Sequence, residues 1–493
     1  MRKKQLQERL PEIIFSSADA YTTKQITKFV KAGLLRKLIP KVYTSNNLEE
    51  DRIIVQKNLW MLIAHLLPDS VLSHRSAIEF KLTDKGNIYL TGQNKKVYNW
   101  HGIKIRMTIG PARLEDDYPL YEQLYVSSLE RALLENLLPS RTVNGERRTL
   151  AKEKIEERLL QELNAKGETA LNQIRDRARV IAVTFGWEKP FEHLNKIIGS
   201  ILSSQPKDIL QSPIALAKVL GEPYDSGRMD LFQKLVAELK NTSFENRPQK
   251  TNNTEAFGLI SFFESYFSNY IEGTTFEVSE AVDIIYDSKV IPNRTGDTHD
   301  VLGTYQLVND RFDMDQIPES PEEFLAFLQR RHQLILGGRK EKNPGRFKTI
   351  ANRAGDSFFV KPAQVKGTLK QGFKLMGSLT QAMERALFMM FMVSEVHPFD
   401  DGNGRVARVM MNAELVHEQV SKIIIPTVYR DDYILNLKKF TNQGNPAGYV
   451  RMMNRAHAFS HWLNPSSFDE LQEQLNESNA FRESREAVLQ FSS

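Results

Sequence analysis

The stretch HPFDDGNGRVAR, residues 397–408, lies between two apolar runs with helical spacing. Pro398 disfavours helical geometry at His397, the residue that precedes it. The Gly402–Gly404 triplet permits backbone angles that other residues avoid. The sequence therefore predicts a loop that joins two helices at this point.

The residue types in this loop suit the binding of a phosphate group. Small residues at the start of a helix leave backbone N–H groups free to bind an anion. Arg405 and Arg408 are three residues apart, so both guanidinium groups can reach the same anion. Asp401 adds a hard oxygen ligand that suits Mg²⁺ beside phosphates. His397 stands at the loop entrance and, with an ordinary pKa near ~6.5, suits a general base.

Each of these features also has an ordinary explanation. A single His is often structural, a Gly-Asn-Gly string is often a turn, and a pair of Arg residues is often a solvated face. His397 and Asp401 would also suit a helical metal pair, but Pro398 and Gly402 argue against a helix there. Within twelve residues, however, the combination favours a phosphate-binding site with a base and a metal ligand.

The stretch resembles the Fic family motif H-x-F-x-[DE]-G-N-G-R-x-x-R and matches every specified position. The resemblance implies a protein adenylyltransferase, which moves AMP from ATP to a Ser, Thr or Tyr hydroxyl of a target protein, with Mg²⁺ bound. It also implies the site residues: His397 as base, Asp401 as Mg²⁺ ligand, Gly402, Asn403 and Gly404 as the phosphate cradle, Arg405 near the β-phosphate and Arg408 near the γ-phosphate.

Other activities on the same scaffold remain open at this stage. Doc-type kinases of this fold carry Lys where Gly404 stands, so the sequence favours nucleotide transfer over phosphorylation. Transferases that use another nucleotide, and a transcriptional regulator that keeps the fold without the activity, are the remaining alternatives.

A second motif, SNYIEG at residues 268–273, resembles the inhibitory motif [ST]-x-x-x-E-[GN] of class II Fic proteins. On a helix, Ser268 and Glu272 would share one face. The resemblance implies that Glu272 forms a salt bridge with Arg408 and so blocks the γ-phosphate position. In some relatives the same Glu supports the removal of AMP, and the sequence leaves this open.

Two further groups of site residues rest on position within the family. The insert Phe347–Val360 corresponds to the flap, a hairpin that aligns the target peptide by main-chain pairing. The flap candidates are Ile350, Ala351, Asn352 and Arg353. Tyr433 and Asn442 fall where relatives contact the adenine and the ribose.

The N-terminal residues are basic. Residues 1–45 hold 10 Lys and Arg against 3 Asp and Glu, whereas the whole chain has a formal net charge of +5. A predicted helix over residues 22–35 and a basic strand after it outline a winged helix. This region, with GLLRKLIPKVYTS at 33–45 and Ser73–Ala77, looks like the start of AbiEi-type antitoxin proteins. The resemblance implies a toxin–antitoxin context and DNA binding; the phosphate-contact candidates are Lys24, Lys28, Lys31, Arg36, Lys37 and Lys41.

The length of 493 residues predicts more than one domain. We expect a mainly α protein, with an all-helical Fic core, a β-hairpin flap and an N-terminal α+β winged-helix-like domain. Residues 85–110 alternate apolar and polar residues and predict two or three strands. The predicted domains are 1–140 (winged helix), 141–240 (helical connection), 253–463 (Fic) and 464–493 (surface helix or tail).

The absence of cysteine fits a reducing compartment, and we expect a cytoplasmic protein. The longest apolar runs, Leu59–Ala64 and Ala386–Val393, are far shorter than the ~20 residues of a membrane span. Self-modification and a homodimer are left open as further interactions.

Overall fold

The structure is a computed structural model that describes residues 10–16, 19–203, 207–250, 253–354 and 357–492. It divides the chain into two units, Met1–Val219 and Leu220–Ser493, and each is described by itself. The predicted hairpin turn at Gly355 and Asp356 lies outside the described residues. Among the described residues, no helix combines the length and the apolar character that crossing a membrane requires.

The first unit contains two sheets. The strands of the smaller one are antiparallel and lie in the order β1-β3-β2; they are β1 (Ile13–Phe15), β2 (Arg36–Ile39) and β3 (Val42–Thr44). The larger sheet is mixed, in the order β6-β7-β5-β4-β9-β8; its strands are β4 (Val71–Leu72), β5 (Asn87–Gly92), β6 (Lys96–Trp100), β7 (Ile103–Ile109), β8 (Tyr118–Tyr121) and β9 (Leu124–Val126). The strands expected in residues 85–110 are β5, β6 and β7.

The helices of the first unit are α1 (Ala20–Lys31), α2 (Asp51–Lys57), α3 (Leu59–Leu66), α4 (His74–Glu79), α5 (Leu129–Leu137), α6 (Lys152–Lys166), α7 (Glu168–Phe185), α8 (Glu188–Ile201) and α9 (Pro213–Val219). A 3₁₀ turn covers Lys207–Ile209. Helix α1 and the hairpin β2–β3 lie where the sequence predicts a helix followed by a basic strand, with Lys41 in the left-handed region at the hairpin turn (φ 68°).

The second unit is helical. Its helices are α10 (Ser226–Asn241), α11 (Thr254–Ile271), α12 (Val278–Tyr286), α13 (Thr295–Asn309), α14 (Arg311–Met314), α15 (Pro321–Leu336), α16 (Val365–Met376), α17 (Ala382–Val396), α18 (Asn403–His417), α19 (Arg430–Gln443), α20 (Ala447–Trp462) and α21 (Phe468–Glu477). Short 3₁₀ turns cover Lys340–Lys342, Pro362–Gln364 and Thr427–Tyr429. The strands β10 (Arg353–Ala354) and β11 (Ser357–Phe358) form the predicted hairpin.

Helix α17 is the central helix of this unit. All eight residues of the run Ala386–Val393 are 0% exposed, as expected for a helix that is apolar on every side. A capping box of Gln381 and Glu384 starts the helix. Because its sides are packed all round, its C-terminal end at His397 has a fixed position in the core.

The observed boundary differs from the predicted one. The sequence placed the linker at residues 240–255, but α10 belongs to the second unit because its Phe232 packs edge-on against Phe388 and Phe391 of α17. The polar composition of 240–255 reflects a surface connection inside the unit.

The C-terminal segment is also more integrated than the predicted tail. Leu471 and Leu475 lie one helical turn apart on α21 and are fully buried. Ala480 and Leu489 are buried beyond the helix. One apolar face therefore attaches this polar segment to the core.

Candidate functional site

The loop between α17 and α18 leaves backbone N–H groups unpaired at the start of α18. His397 adopts a left-handed conformation (φ 52°), which ends α17, and Gly402 (φ 71°) precedes α18. Within the described part of the chain, the backbone N–H groups of Asn403, Gly404 and Arg405 have no hydrogen-bond acceptor. Unpaired N–H groups in the first turn of a helix attract an anion.

His397 is oriented by its own helix and by the flap. Its Nδ1 lies 3.3 Å from the carbonyl oxygen of Ser394, which can only accept a hydrogen bond. The proton therefore sits on Nδ1, and Nε2 is left as the basic nitrogen. The imidazole stacks on Phe359 at 3.8 Å, with an angle of 6° between the rings. Burial lowers the pKa of His397 to about 4, although the Ser394 carbonyl acts in the opposite direction.

Asn403 closes the loop on itself. Its Oδ1 accepts from the Phe399 N–H (2.8 Å) and its Nδ2 donates to the Phe399 carbonyl (2.9 Å). The side chain predicted to cradle phosphate is therefore engaged with the loop backbone, and only the N–H of Asn403 faces the anion site as an unpaired donor.

A buried histidine, His332, packs against the loop and bonds to its backbone. His332 is 0% exposed and stacks on Phe399 at 3.8 Å. Its Nδ1 accepts from the Gly345 N–H, so its Nε2 donates to the carbonyl oxygen of Asp401, each at 2.9 Å. Burial lowers the pKa of His332 to about 4, in keeping with the neutral ring that this arrangement requires.

Asp401, the predicted Mg²⁺ ligand, presents its carboxylate beside the loop. Its Oδ1 accepts from the Gly402 N–H at 2.7 Å, and its Oδ2 lies 3.1 Å from Lys342 Nζ. Burial acts to raise the pKa of Asp401, but the Gly402 N–H and the Lys342 ammonium outweigh it and hold the pKa below its usual range. The described residues hold no cluster of three or more potential metal ligands. One carboxylate nevertheless fits Mg²⁺, whose remaining ligands are commonly phosphate oxygens and water.

Arg405 lies in a buried ion network that the sequence did not predict. Its Nη1 pairs with Asp300 Oδ2, and its Nη2 lies 3.6 Å from Asp401 Oδ1. Asp300 is 2% exposed and also pairs with Arg339 at 3.1 Å. Burial raises the pKa of Asp300, against the effect of Arg405. The first arginine of the motif is therefore fixed by a carboxylate of α13.

The predicted inhibitory residues contact the second arginine of the motif. Arg408 Nη2 lies 2.7 Å from Glu272 Oε1 and 2.8 Å from the Ser268 carbonyl oxygen. Arg408 Nε donates to Ser268 Oγ at 2.9 Å. A Cβ atom at Gly404 would lie only 2.1 Å from Glu272 Oε1. The Glu272 carboxylate therefore lies directly over the start of α18, where the open N–H groups are.

These groups line one cavity of about 210 Å³. Its wall contains His397, Gly404, Arg408, Glu272 and Tyr433, and Tyr433 is 3% exposed. The structure thus brings the predicted base, phosphate and inhibitory residues together.

Asn442, the residue predicted to contact the ribose, is not among the residues that line this cavity. It is exposed, and among the described residues the cavity wall includes Thr441 instead. Successive residues of α19 point in different directions, and the position predicted for the ribose contact falls on the outer face.

The predicted flap residues lie beside the hairpin and at its start. Arg353 begins β10 and pairs with Phe358, whereas Ile350 (76% exposed) and Ala351 precede the strand. Asn352 anchors the hairpin because its Nδ2 donates to the Phe399 carbonyl at 2.9 Å. The hairpin and the loop are thus joined directly.

Sequence reasoning missed Phe359, Asp300 and Lys348. Phe358 is 69% exposed, whereas the next residue, Phe359, turns inward onto His397. Because residues 358–360 are all apolar, the sequence carries no alternation that marks Phe359. Lys348 is buried, and its Nζ lies 2.6 Å from Asn352 Oδ1. No motif marks Asp300 or Lys348, because both depend on contacts between distant parts of the chain.

Comparison with known proteins gives a family match for part of the second unit. Residues 324–415, from α15 through the loop to α18, match the model of the Fic/DOC family. The second unit therefore contains a Fic domain.

Curated relatives of this chain are named protein adenylyltransferases. It is 27% identical over 195 residues to Protein adenylyltransferase fic-1 of Caenorhabditis elegans, a match that covers 38% of each chain. It is 25% identical over 246 residues to Protein adenylyltransferase Fic of Nematostella vectensis, covering 49% of this chain and 56% of the relative. The chain thus spans about half the length of these relatives, or less. A solved structure of Fic-1 from C. elegans is similar at a TM-score of 0.36 and 17% identity, over 66% of this chain and 98% of that one.

Proposed function

We propose that the protein transfers AMP from ATP to a hydroxyl side chain of a protein, and that Glu272 restrains this activity. The observation that carries the proposal is the contact between Glu272 and Arg408 in the cavity that also contains His397. The names of the curated relatives support the same reaction.

The chemistry follows from the positions of these side chains. His397 Nε2 takes the proton of the target hydroxyl as its oxygen attacks the α-phosphorus of ATP. The bond between that phosphorus and the bridging oxygen breaks, and diphosphate leaves. The open N–H groups of α18 and the Arg408 guanidinium stabilise the phosphate charge. Asp401 would bind Mg²⁺ through the carboxylate that now contacts Lys342, so that contact would be lost. When bound, the ion would neutralise further phosphate charge.

Glu272 restrains the reaction by competing for the same cation. Its carboxylate pairs with the Arg408 guanidinium and fills the space beside Gly404 in which a Cβ atom would lie. In a buried site, a phosphate and a carboxylate repel each other strongly. ATP therefore binds productively only when Glu272 moves away.

The test compares the wild type with Glu272→Gly and with the double variant Glu272→Gly/His397→Ala, each given α-³²P-ATP and Mg²⁺. We expect Glu272→Gly to label protein, including itself, about tenfold or more above wild type, the factor that corresponds to ~1.4 kcal/mol of lost competition. Loss of the base then lowers labelling by about 100-fold or more. Glu255→Gly, which removes an exposed carboxylate from the same helix, is the matched control and stays at the wild-type level.

Two results would contradict the proposal. Label from γ-³²P-ATP but not from the α-labelled nucleotide would identify a kinase. A complete absence of label in Glu272→Gly would favour a regulator that keeps the fold without the activity.

A second proposal concerns DNA binding by the first unit. Lys24, Lys28 and Lys31 lie at successive turns on one exposed face of α1, and Lys37 and Lys41 are exposed on the hairpin β2–β3. None of these five forms an ion pair with a described residue. Exposed, unpaired lysines on a helix and wing support contacts to DNA phosphates.

Arg36, the sixth candidate, differs from these lysines. It is half-buried, pairs with Asp51, and donates to the backbone carbonyls of Asn46 and Glu49. It therefore holds the wing in place and is not available to DNA.

The DNA proposal is tested with the triple variant Lys24→Gln/Lys28→Gln/Lys31→Gln on duplex DNA. If all three contact phosphates, the slope of log affinity against log salt flattens by about 2.7, at ~0.9 per contact. The matched control replaces Lys189, Lys196 and Lys218, which are exposed elsewhere in the unit. An equal slope in both triple variants would refute the assignment of these lysines.

A further inference from the structure

Arg228 lies outside every motif of the sequence, yet its guanidinium reaches the cavity. It stands in the first turn of α10, where its backbone N–H donates to Asp225 Oδ1 at 3.1 Å. Helix α10 packs through Phe232 against α17, the helix that ends at His397. The backbone of Arg228 is therefore held rigidly relative to His397.

The guanidinium of Arg228 joins two parts of the site. Its Nη2 donates to the Phe358 carbonyl of β11 at 2.5 Å, and its Nε lies 3.0 Å from Glu395 Oε1. Glu395 is 5% exposed, and its other oxygen accepts from Thr441 Oγ1 at 2.7 Å. The carboxylate is thus fixed on both sides, and it fixes the guanidinium in turn.

The contact with Phe358 adds a backbone anchor on the β11 strand, beside the anchor that Asn352 gives the hairpin. The Phe358 side chain is 69% exposed, so it does not attach β11 to the core. The next residue, Phe359, stacks on His397 and donates its N–H to the Asn352 carbonyl at 3.4 Å. Holding the Phe358 carbonyl therefore holds the ring that lies against the base.

We infer that Arg228 is a positioning residue for the transfer reaction: with Glu395, it fixes the flap strand β11 and so aligns the flap with His397 for the incoming protein. This inference rests on the proposed function. Because Arg228 occupies the Phe358 carbonyl, the other strand of the hairpin, Arg353–Ala354, is left as the edge along which the target aligns.

The first measurement does not depend on catalysis. Hydrogen–deuterium exchange of the peptide that contains Phe359 is compared between the full chain and its Arg228→Gln variant. Loss of one charge-assisted hydrogen bond predicts exchange about tenfold faster in this peptide, with the peptides of α18 unchanged. Arg228→Lys, which keeps a charged donor, restores most of the protection. Arg346→Gln, which removes an exposed guanidinium just before the flap, leaves it unaltered.

The second measurement uses the Glu272→Gly background, with a full-length copy that carries His397→Ala as the protein acceptor. Arg228→Gln is expected to raise the KM for this acceptor about tenfold. The KM for ATP should stay within about twofold of the parent value. Arg228→Lys should bring the KM for the acceptor part of the way back to the parent value.

An increase in the KM for ATP alone would make Arg228 a nucleotide contact and overturn the inference. Unchanged exchange of the Phe359 peptide would also overturn it. If the parent transfers nothing while exchange rises as expected, the proposed function fails and the flap contact stands as a structural tether only.

Discussion

At the scale of single residues, the burial of His397 decides the pH range in which the proposed base works. Burial lowers its pKa to about 4, and Lys348 contributes in the same direction. A base must be neutral, and a lowered pKa keeps it neutral down to that value. We therefore expect activity to persist below pH 6.5 and to be lost only as the pH approaches 4.

The pH dependence of kcat/KM, measured in Glu272→Gly, tests this because kcat/KM reports groups of the free enzyme. Glu272 acts to raise the pKa of His397, so its removal moves the acid limb to lower pH. Lys348→Met removes a positive charge that lowers the pKa, so it moves the limb to higher pH. If kcat/KM in both Glu272→Gly and Lys348→Met already falls on the acid side at or above pH 6.5, the pKa of His397 is not lowered and this expectation is wrong.

Single residues also show what the sequence can predict about the site. The grouping of His397, Asp401 and Arg408 was predictable because the three stand within one motif of twelve residues, where a loop meets the start of a helix. The partner of Arg405 was not, because Asp300 lies on another helix and only tertiary packing brings the two together. Asn442 shows a third case, in which the helix was predictable but the face of that helix was not.

At the scale of elements, helical periodicity predicted most helices of the second unit but not how its last segment packs. Residues 464–493 are mostly polar, which favours a surface helix or tail. In the structure Phe481 packs against Phe267 at 5.2 Å, and the Tyr270 hydroxyl bonds to Glu483. A few apolar residues at helical spacing are enough to attach this polar segment to the core. The average composition of the segment does not reveal them.

This attachment matters because Tyr270 and Phe267 belong to α11, the helix that positions Glu272. Glu272, the glutamate proposed to inhibit the reaction, stands at the C-terminal end of α11 and is therefore supported from two sides. Arg408 holds its carboxylate, and the segment after α21 packs on its helix. Arg430 adds a contact at the same point, since its Nε donates to the Ile271 carbonyl at 3.2 Å.

At the scale of the whole molecule, the sequence predicted several domains, and the predicted start of the Fic domain lies after the first helix of the second unit. Composition identified residues 240–255 as a linker because they are polar and contain a Pro and several Asn residues. Such a segment marks any exposed connection, whether or not the elements on either side share a core. The buried side chains of α10 identify it as part of the second unit.

Two fragments distinguish these boundaries. A fragment of residues 220–493 keeps α10 and is expected to unfold cooperatively and, with Glu272→Gly, to label itself. A fragment of residues 253–493 loses Phe232, Leu235 and Leu239, each 0% exposed. Removing such side chains costs roughly 2–5 kcal/mol each, which together approaches the ~5–15 kcal/mol by which domains are stable. Circular dichroism should therefore show a much lower unfolding temperature, or no cooperative transition, for the shorter fragment. Equal unfolding temperatures would mean that α10 is dispensable and that the Fic domain begins after residue 252, where the sequence placed it.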